Sequence, residues 1–289
     1  MSTVTSARAV LRATRPRQWV KNLLVFAAPL AAGALTEPGV FWPVIAAAAV
    51  MTLASAAIYL FNDVVDVEHD RHHPTKRRRP VAAGEVSEST AVAVGALLAV
   101  LALGCSWAIR PELTIVVAVY LALQVSYVLG LKNQPVLDLA IVSAGFLLRA
   151  IAGGVAPDLP LSRWFLIVAA FGSLYMVAGK RYSEIHQLGP DALTRQSLAL
   201  YSDSFLRFVW GTAAGVTIMA YCLWAFEIAP ADGVPWQTIS IAPFVIAMLR
   251  YGADIDRGAA GEPEEVVLRD PALLALAALW LLTFALGLA

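Results

Sequence analysis

One stretch of this chain decides its fold and its chemistry: Tyr59-Leu-Phe-Asn62-Asp63-Val-Val-Asp66-Val-Glu68-His-Asp70, which continues to Lys76-Arg77-Arg78-Arg79-Pro80. A continuous apolar run precedes it, so a group of carboxylates stands where a hydrophobic helix would meet water. On one continuous helix the oxygen donors of this stretch would share a face, because residues three, four and seven positions apart do so. Such hard oxygen donors suit Mg²⁺, which keeps several waters and takes other ligands from substrate phosphates. The basic run is placed to contact those phosphates.

The composition is that of a membrane protein. Of the 289 residues, 59% are hydrophobic, and the mean hydropathy is +0.70, whereas soluble domains are about 45–50% apolar. The 21 basic and 21 acidic side chains cancel, so no net charge favours nucleic acid as a partner. Cys105 and Cys222 lie in apolar runs, which predicts buried thiols rather than a disulfide. His69, His72 and His73 crowd a basic loop without cysteine partners, which disfavours zinc.

Nine apolar segments have roughly the length that crosses a bilayer, about 20 residues. They cover approximately residues 22–36, 40–61, 88–109, 112–130, 135–154, 162–179, 205–227, 236–250 and 270–288. We therefore expect an all-α, polytopic membrane protein with nine transmembrane helices. Residues 1–21 are expected to form an amphipathic cytoplasmic segment, with the helix over 4–19, and residues 22–289 the transmembrane domain.

The basic residues predict the orientation in the cell membrane. If the N-terminus is cytoplasmic, all of the 21 basic residues except Arg110, Arg149 and Arg163 fall on the inner side. The longer polar loops, 62–87, 180–204 and 251–269, fall there too. We therefore expect a multi-pass plasma-membrane protein whose chemistry takes place on the cytoplasmic side, with a soluble cytosolic substrate.

Polar side chains also gather at the inner ends of other predicted spans. They are Lys21 before the first span, Tyr127 and Lys132 after the fourth, and Tyr175, Lys180, Arg181 and Glu184 in the sixth. Single residues at helix ends often only anchor the helix at the membrane surface. Arg149 lies deep in the fifth segment, eleven residues from Asp138 and on the same helix face. It either faces a polar cavity or forms a structural ion pair.

The pattern Asn62-Asp63-x-x-Asp66-x-x-x-Asp70 at the end of the second of nine spans resembles the UbiA-type intramembrane prenyltransferase superfamily. Further stretches resemble one branch of it, the decaprenyl-phosphate phosphoribosyltransferases of actinobacterial arabinan synthesis. These stretches are Arg15-Pro-Arg-Gln-Trp-Val-Lys-Asn22, Leu129-Gly-Leu-Lys132, Leu137-Asp138, Phe146-Leu-Leu-Arg149, Gly179-Lys-Arg-Tyr-Ser-Glu184 and Pro263-Glu-Glu-Val-Val-Leu-Arg-Asp270. The resemblance covers nearly the whole chain and implies helices around a central cavity that opens to the cytoplasmic side.

The resemblance implies a Mg²⁺-dependent glycosyltransferase. Such an enzyme transfers 5-phosphoribosyl from phosphoribosyl diphosphate to a polyprenyl (decaprenyl) phosphate and releases diphosphate, which supplies a precursor of cell-wall arabinan. Ordinary prenyltransferases of the superfamily carry a second Asp-rich motif after the sixth span, where this chain has Lys180-Arg-Tyr-Ser-Glu184. Asp191 and Asp203 are too far apart to replace that motif. One metal site with separate basic contacts suits a donor that carries phosphate at both ends.

Roles for individual residues follow from this resemblance. Asp63, Asp66 and Asp70 are expected to be catalytic, with Asn62 and Asp66 as metal ligands, while direct metal contact by Asp63 and Asp70 stays open. The expected substrate-binding residues are Lys21, Tyr59, Lys76, Arg79, Tyr127, Lys132, Arg149, Tyr175, Lys180, Arg181 and Glu184. The expected partners are phosphoribosyl diphosphate, a polyprenyl phosphate and the bilayer, and a homo-oligomer is compatible with the sequence.

Two other functions compete with this one. A prenyltransferase that joins a prenyl diphosphate to an aromatic acceptor would share the first motif, but it requires the second Asp-rich motif. A membrane transporter would use intramembrane charges as a pathway and would place them near the middle of the bilayer. In this chain the charges gather at one side of the predicted membrane, and only Arg149 lies deep within a span.

Overall fold

The structure, a computed structural model, describes residues 6–188, 198, 200–228 and 233–288, and all regular elements within these ranges are helical. The α-helices are α1 Ala7–Ala13, α2 Ala27–Ala31, α3 Pro38–Val65, α4 Val67–His72, α5 Glu88–Ile109, α6 Pro111–Leu129, α7 Leu137–Val155, α8 Arg163–Leu188, α9 Asp203–Glu227, α10 Trp236–Asp256, α11 Pro263–Arg269 and α12 Pro271–Leu286. Three 3₁₀ segments, Pro16–Phe26, Lys76–Arg78 and Leu131–Asn133, complete the described elements. The expected all-α class is confirmed for this part of the chain.

Six of the described helices are long and apolar enough to cross a membrane: α3, α5, α6, α7, α9 and α10. The other three predicted spans differ from this pattern. The first is divided between the 3₁₀ segment Pro16–Phe26 and α2, and the last, α12, has 16 residues. The sixth, α8, has 26 residues, but Arg163 and Lys180 bound its apolar part. A total of nine transmembrane helices therefore stays a prediction.

The N-terminal segment is shorter as a helix than its amphipathic pattern suggests. Helix α1 ends at Ala13, and Arg15 adopts a left-handed backbone with φ of 55°. Pro16 follows, and a proline lacks the N–H that would continue the hydrogen-bonding pattern of an α-helix. The chain therefore turns at Arg15 and runs on as a 3₁₀ segment, while residues 4 and 5 of the predicted helix lie outside the described residues.

The chain divides into two compact units, and the first contains the described residues of Met1–Lys132 and Leu148–Pro160. Its core is built by α3, which packs against α5, α6 and the 3₁₀ segment Pro16–Phe26.

 Two side chains of the segment Pro16–Phe26 are buried, Asn22 and Val25. Among the six candidate spans, α3 is one of the two most enclosed, with 56% of its most apolar window buried, whereas α5 has 17%. The carboxylates at the end of α3 are therefore attached to one of the most buried helices of this unit.

A close backbone contact fixes part of α7 in the first unit. Gly153 lies against the backbone of Val25, and a Cβ atom at this position would overlap the Val25 carbonyl oxygen. The atom it would meet belongs to the main chain, so a side-chain rotation cannot relieve the overlap. Glycine at position 153 is what allows α7 to approach the 3₁₀ segment Pro16–Phe26 so closely.

The second unit contains the described residues of Asn133–Leu147 and Leu161–Ala289. Helix α8 packs against α9 and α10, and α10 packs against α12. Large aromatic side chains fill this core, with Tyr175 and Tyr182 of α8 almost fully buried beside Leu206 and Ile255. The functional groups predicted at the end of the sixth span are therefore carried by a well-packed helix.

Candidate active site

A helix boundary interrupts the stretch whose oxygen donors would share a face on one continuous helix. Helix α3 ends at Val65, Asp66 is its C-cap with φ of −92° and ψ of 4°, and α4 begins at Val67. The condition of one continuous helix from Asn62 to Asp70 is therefore not met. The hydrogen bonds from Asp66 N to Asn62 O (3.0 Å) and from Asp70 N to Asp66 O (2.8 Å) nevertheless keep the helical spacing across the boundary.

Asp63 is the most deeply buried of these carboxylates, with 1% of its surface exposed. Its Oδ1 atom accepts a hydrogen bond from Arg15 Nη2 and lies 3.5 Å from Arg79 Nη1. Its Oδ2 atom has no hydrogen-bond partner among the described residues. A buried carboxylate oxygen without a partner is costly, so this atom is suited to receive a cation or a donor group.

The basic run folds back onto the carboxylates. Arg79 donates from Nη1 to Asp70 Oδ2 at 2.6 Å, and the same nitrogen faces Asp63. Asp70 is buried, whereas Arg79 is partly exposed. Arg79 therefore links the two carboxylates and presents its remaining surface to solvent, where it can meet a phosphate.

Asp66 has a different basic partner. Lys132 lies in the 3₁₀ segment Leu131–Asn133 after α6, and its Nζ atom forms an ion pair with Asp66 Oδ1. Both side chains are partly exposed, at 17% for Lys132 and 26% for Asp66. The structure thus brings together two groups that the sequence placed in separate roles, a metal ligand and a phosphate contact.

Arg15 is a site residue that was not assigned a role from the sequence. It binds Asp63, and its guanidinium lies over the ring of Tyr59, 5.0 Å from the ring centroid. The only signal was its place at the start of the stretch Arg15–Asn22 that carries part of the family resemblance. An arginine in a basic N-terminal segment is otherwise an ordinary anchor at the membrane surface.

Arg149 belongs to a second polar cluster of the first unit. Its Nε donates to Asn22 Oδ1 at 2.8 Å, its Nη2 donates to Tyr120 Oη at 2.9 Å, and its guanidinium lies 4.9 Å from the Tyr120 ring centroid. Asn22 in turn donates to Thr52 Oγ1 at 2.9 Å. Asn22 and Tyr120 are buried and were not predicted as site residues. Arg149 therefore forms hydrogen bonds with two buried polar side chains, and its role in binding substrate stays a prediction.

The second unit holds the groups predicted at the end of the sixth span. Arg181 is buried and forms two hydrogen bonds with Asp138, from Nε to Oδ2 (2.8 Å) and from Nη2 to Oδ1 (3.0 Å). It also donates from Nη1 to Glu184 Oε2 at 2.8 Å. Lys180 Nζ lies 3.9 Å from Glu184 Oε1 and is more exposed. Asp138 thus pairs with Arg181, which the helical spacing of Asp138 and Arg149 did not indicate.

Two tyrosines of this unit are held by main-chain groups. Tyr175 donates its hydroxyl to the carbonyl oxygen of Met248 at 2.8 Å. Tyr201 accepts a hydrogen bond from Val136 N at 2.9 Å, and burial raises the pKa of its hydroxyl, with the Asp138 carboxylate adding to the rise. Both rings therefore contribute mainly to the packing of the second unit.

The remaining predicted residues lie as follows. Lys21, Lys76 and Tyr127 are half-buried residues of the first unit. His73 accepts hydrogen bonds from Thr75 N (3.2 Å) and Lys76 N (3.3 Å), and burial together with the neighbouring Lys76 lowers the pKa of its imidazole. His73 therefore shapes the basic loop as a neutral ring. Asp191 lies outside the described residues.

The donor set fits Mg²⁺ better than a cation that needs a closed protein cage. Among the described residues, no group of three or more His, Cys, Asp or Glu side chains is close enough to hold a metal ion by itself. Mg²⁺ is usually bound by one or two carboxylates together with waters and substrate phosphates, so it needs no such group. The Asp63 Oδ2 atom without a hydrogen bond and the partly exposed Asp66 offer oxygen donors of this kind.

The amino-acid sequence matches a known protein family. The model of the UbiA prenyltransferase family matches residues 23–268. A decaprenyl-phosphate phosphoribosyltransferase of Mycobacterium tuberculosis is 51% identical over 95% of this chain and 92% of its own length. The enzyme of the same name from Corynebacterium glutamicum is 48% identical over 95% of this chain and 85% of its own.

A solved structure shares the fold. It is a UbiA homolog from Archaeoglobus fulgidus bound to DMAPP and Mg²⁺, with a TM-score of 0.75, 16% identity, and coverage of 96% of this chain and 97% of that one. At this identity the likeness concerns the fold alone. The family match and the half-identical relatives lead to one conclusion: this chain belongs to the UbiA prenyltransferase family.

Proposed function

We propose that this protein transfers 5-phosphoribosyl from phosphoribosyl diphosphate to decaprenyl phosphate or a similar polyprenyl phosphate, and that it releases diphosphate. The observation that carries the proposal is the identity of about half of all residues, over 95% of the chain, with enzymes named for this reaction. The carboxylates and bases at the end of α3 support it, because a donor with a diphosphate needs both a cation and basic contacts.

The reaction needs little from a general base. A phosphate oxygen of the lipid attacks C1 of the ribose, the bond from C1 to the diphosphate oxygen breaks, and the bonding electrons leave with the diphosphate. The attacking phosphate is already an anion, so no proton has to be removed from it. Inversion at C1 is expected. The protein would act mainly by placing the two substrates and stabilising the charge on the leaving group.

Asn62 and Asp66 would hold Mg²⁺, together with Asp63 through its Oδ2 atom. When bound, Mg²⁺ neutralises the charge that develops on the departing diphosphate. Arg79 and Lys132 stand beside these carboxylates, and their partly exposed heads would bind the diphosphate oxygens.

The other predicted residues receive narrower roles in the proposal. Lys21 and Lys76 would contact donor phosphates, and Tyr59 and Tyr127 ribose hydroxyls, while Arg149 would hold the acceptor phosphate or shape its pocket. In the second unit, Lys180 is the more exposed base and is the better candidate for a phosphate contact than Arg181, which two carboxylates already bind. Glu184 would hold the side chain of Lys180 in place, and Tyr175 would hold helix α8 in place.

The remaining features of the proposal concern the whole protein. We propose nine transmembrane helices around a cavity that opens to the cytoplasm, with residues 1–21 as a cytoplasmic segment and 22–289 as the transmembrane domain. The protein would reside in the plasma membrane, and its product would serve the synthesis of cell-wall arabinan. The six apolar helices and the family membership support a multi-pass membrane protein.

A reconstitution experiment tests the reaction. Purified protein is incubated with labelled phosphoribosyl diphosphate, Mg²⁺ and decaprenyl phosphate, and the lipid fraction is analysed for the label. We expect a labelled lipid that depends on Mg²⁺ and on the acceptor. A parallel reaction supplies a prenyl diphosphate and an aromatic acceptor. Product in the parallel reaction alone would assign the protein to the aromatic prenyltransferases instead.

A further inference from the structure

We propose that Arg15 is a positioning residue for Asp63: it holds Oδ1 of the carboxylate and so turns Oδ2 towards the metal. The proposal rests on the magnesium site of the proposed function. It adds a residue from the N-terminal segment, outside the Asp-rich motif, to the machinery that binds the metal. The two oxygens of Asp63 have unequal surroundings, and this difference is the starting observation.

Arg15 is the principal partner of Asp63. Its Nη2 atom forms an ion pair with Oδ1, whereas Arg79 lies 3.5 Å from the same oxygen and donates its shorter bond, 2.6 Å, to Asp70. Removing Arg15 would therefore leave Asp63 with the longer contact to Arg79 alone among the described residues. A buried carboxylate that has lost its nearest hydrogen-bond donor can rotate, and this change would turn Oδ2 away from a metal.

Three features of the fold fix the position of the Arg15 guanidinium. The backbone of Arg15 is left-handed, which is rare for a residue other than glycine and persists only where the surroundings enforce it. The ring of Tyr59 lies under the guanidinium. Helix α1, immediately before it, is anchored by Ala9 and Ala13, which are buried in a cluster with Leu60 of α3.

The shape of the guanidinium matters as well as its charge. Arginine presents a planar group that can bind a carboxylate and stack on an aromatic ring at the same time, whereas lysine provides a compact charge without a plane. Arg15→Lys should therefore keep the charge beside Asp63 but orient the carboxylate less well. Arg15→Gln should lose both the charge and the stacking on Tyr59.

The chain offers a matched control in the same segment. Arg12 of α1 forms an ion pair with Glu85, and the two side chains are 54% and 40% exposed. Arg12→Gln removes an arginine ion pair of the N-terminal segment without touching Asp63. If the N-terminal segment acted only as a tether, Arg12→Gln and Arg15→Gln would have similar effects on metal binding.

The test measures metal affinity rather than turnover. Mn²⁺ replaces Mg²⁺ as a paramagnetic probe, inorganic diphosphate is present, and free Mn²⁺ is followed by electron paramagnetic resonance in the full-length protein. Asp66→Ala gives the loss of free Mn²⁺ that does not belong to this site, including Mn²⁺ bound by diphosphate in solution. We expect the dissociation constant for Mn²⁺ to rise about 10- to 100-fold in Arg15→Gln, the range found when a group that orients a metal ligand is lost. Arg15→Lys should give an intermediate value and Arg12→Gln the wild-type value.

The outcomes separate this proposal from its alternatives. Wild-type Mn²⁺ affinity in Arg15→Gln, with only a lower melting temperature, would reduce Arg15 to a tether and overturn the proposal. If Arg15→Gln does not fold, Arg15→Lys decides, since wild-type affinity in that variant would also overturn it. Absence of Mn²⁺ binding by the wild-type protein would overturn it as well. If Mn²⁺ binding depends on Arg15 but no phosphoribosyl lipid is formed, the positioning role stands and the proposed reaction fails.

Discussion

At the scale of single residues, the bases of the candidate site fall into two groups. Arg79 and Lys132 bind carboxylates while part of each side chain reaches solvent. Arg181 is almost fully buried and is bound by Asp138 and Glu184. The first group can exchange a carboxylate for a phosphate at little cost, whereas Arg181 would have to leave a buried partner to do so.

Loss of the Asp66 carboxylate should lower turnover strongly. In Asp66→Ala we expect kcat to fall by at least about a hundredfold with Mg²⁺ present, because groups that stabilise developing charge in a preorganised site contribute on this scale. The measurement is lipid-linked product formed at saturating donor. Glu88→Gln, which changes an exposed carboxylate near Arg71, serves as the control and should keep its activity. Near-normal turnover of Asp66→Ala would remove Asp66 from the metal site.

Replacing Arg181 should affect stability more than substrate binding. Arg181→Met removes both guanidinium hydrogen bonds from the buried Asp138, and breaking such a pair costs about 3–5 kcal/mol. We expect a lower midpoint of thermal unfolding in detergent. Lys180→Met removes a longer, more exposed ion pair and should cost at most about 1 kcal/mol. A raised KM for the donor at unchanged stability would instead make Arg181 a phosphate contact.

At the scale of elements, the sequence predicted the helices and the acidic motif but not how the bases reach it. Hydrophobic length indicated α3, α5 and α6, and the carboxylate spacing survives the break at Asp66. The ion pairs of Asp63 with Arg15 and of Asp66 with Lys132 join residues 48 and 66 positions apart. Helical periodicity carries no information about such distant pairs, because they depend on how the elements pack.

The close contact at Gly153 should be intolerant of a single methyl group. In Gly153→Ala the new Cβ would meet the Val25 carbonyl, so we expect a loss of about 1–3 kcal/mol from overpacking. Gly104 of α5 has no atom within 4 Å of an added Cβ. Gly104→Ala should therefore be neutral or slightly stabilising, since alanine favours helices. Thermal unfolding of the two variants provides the comparison, and equal midpoints would contradict the close contact.

At the scale of the whole molecule, the orientation in the membrane is a prediction from charge alone. Arg77 lies in the basic loop after α4, and Glu112 lies at the start of α6. The proposed topology places these two residues on opposite sides of the membrane. Each new cysteine is introduced into a background with Cys105→Ser and Cys222→Ser. We expect the Arg77→Cys variant to react with a membrane-impermeant maleimide only after the cells are opened. Glu112→Cys should react in intact cells. The reverse pattern would invert the topology.

The pairing of charges around α3 has a consequence for how ligands bind. Three acids face three bases in the described part of this site: Asp63, Asp66 and Asp70 with Arg15, Arg79 and Lys132. A dication arriving alone would be repelled by the bases, and a diphosphate alone by the acids. Binding of the two should therefore show positive heterotropic cooperativity, in which each raises the affinity of the other by the same factor, typically about 5- to 150-fold. Isothermal titration of Mg²⁺ with and without diphosphate, after subtraction of their association in solution, measures this factor, and a value of one would mean that the site binds its ligands independently.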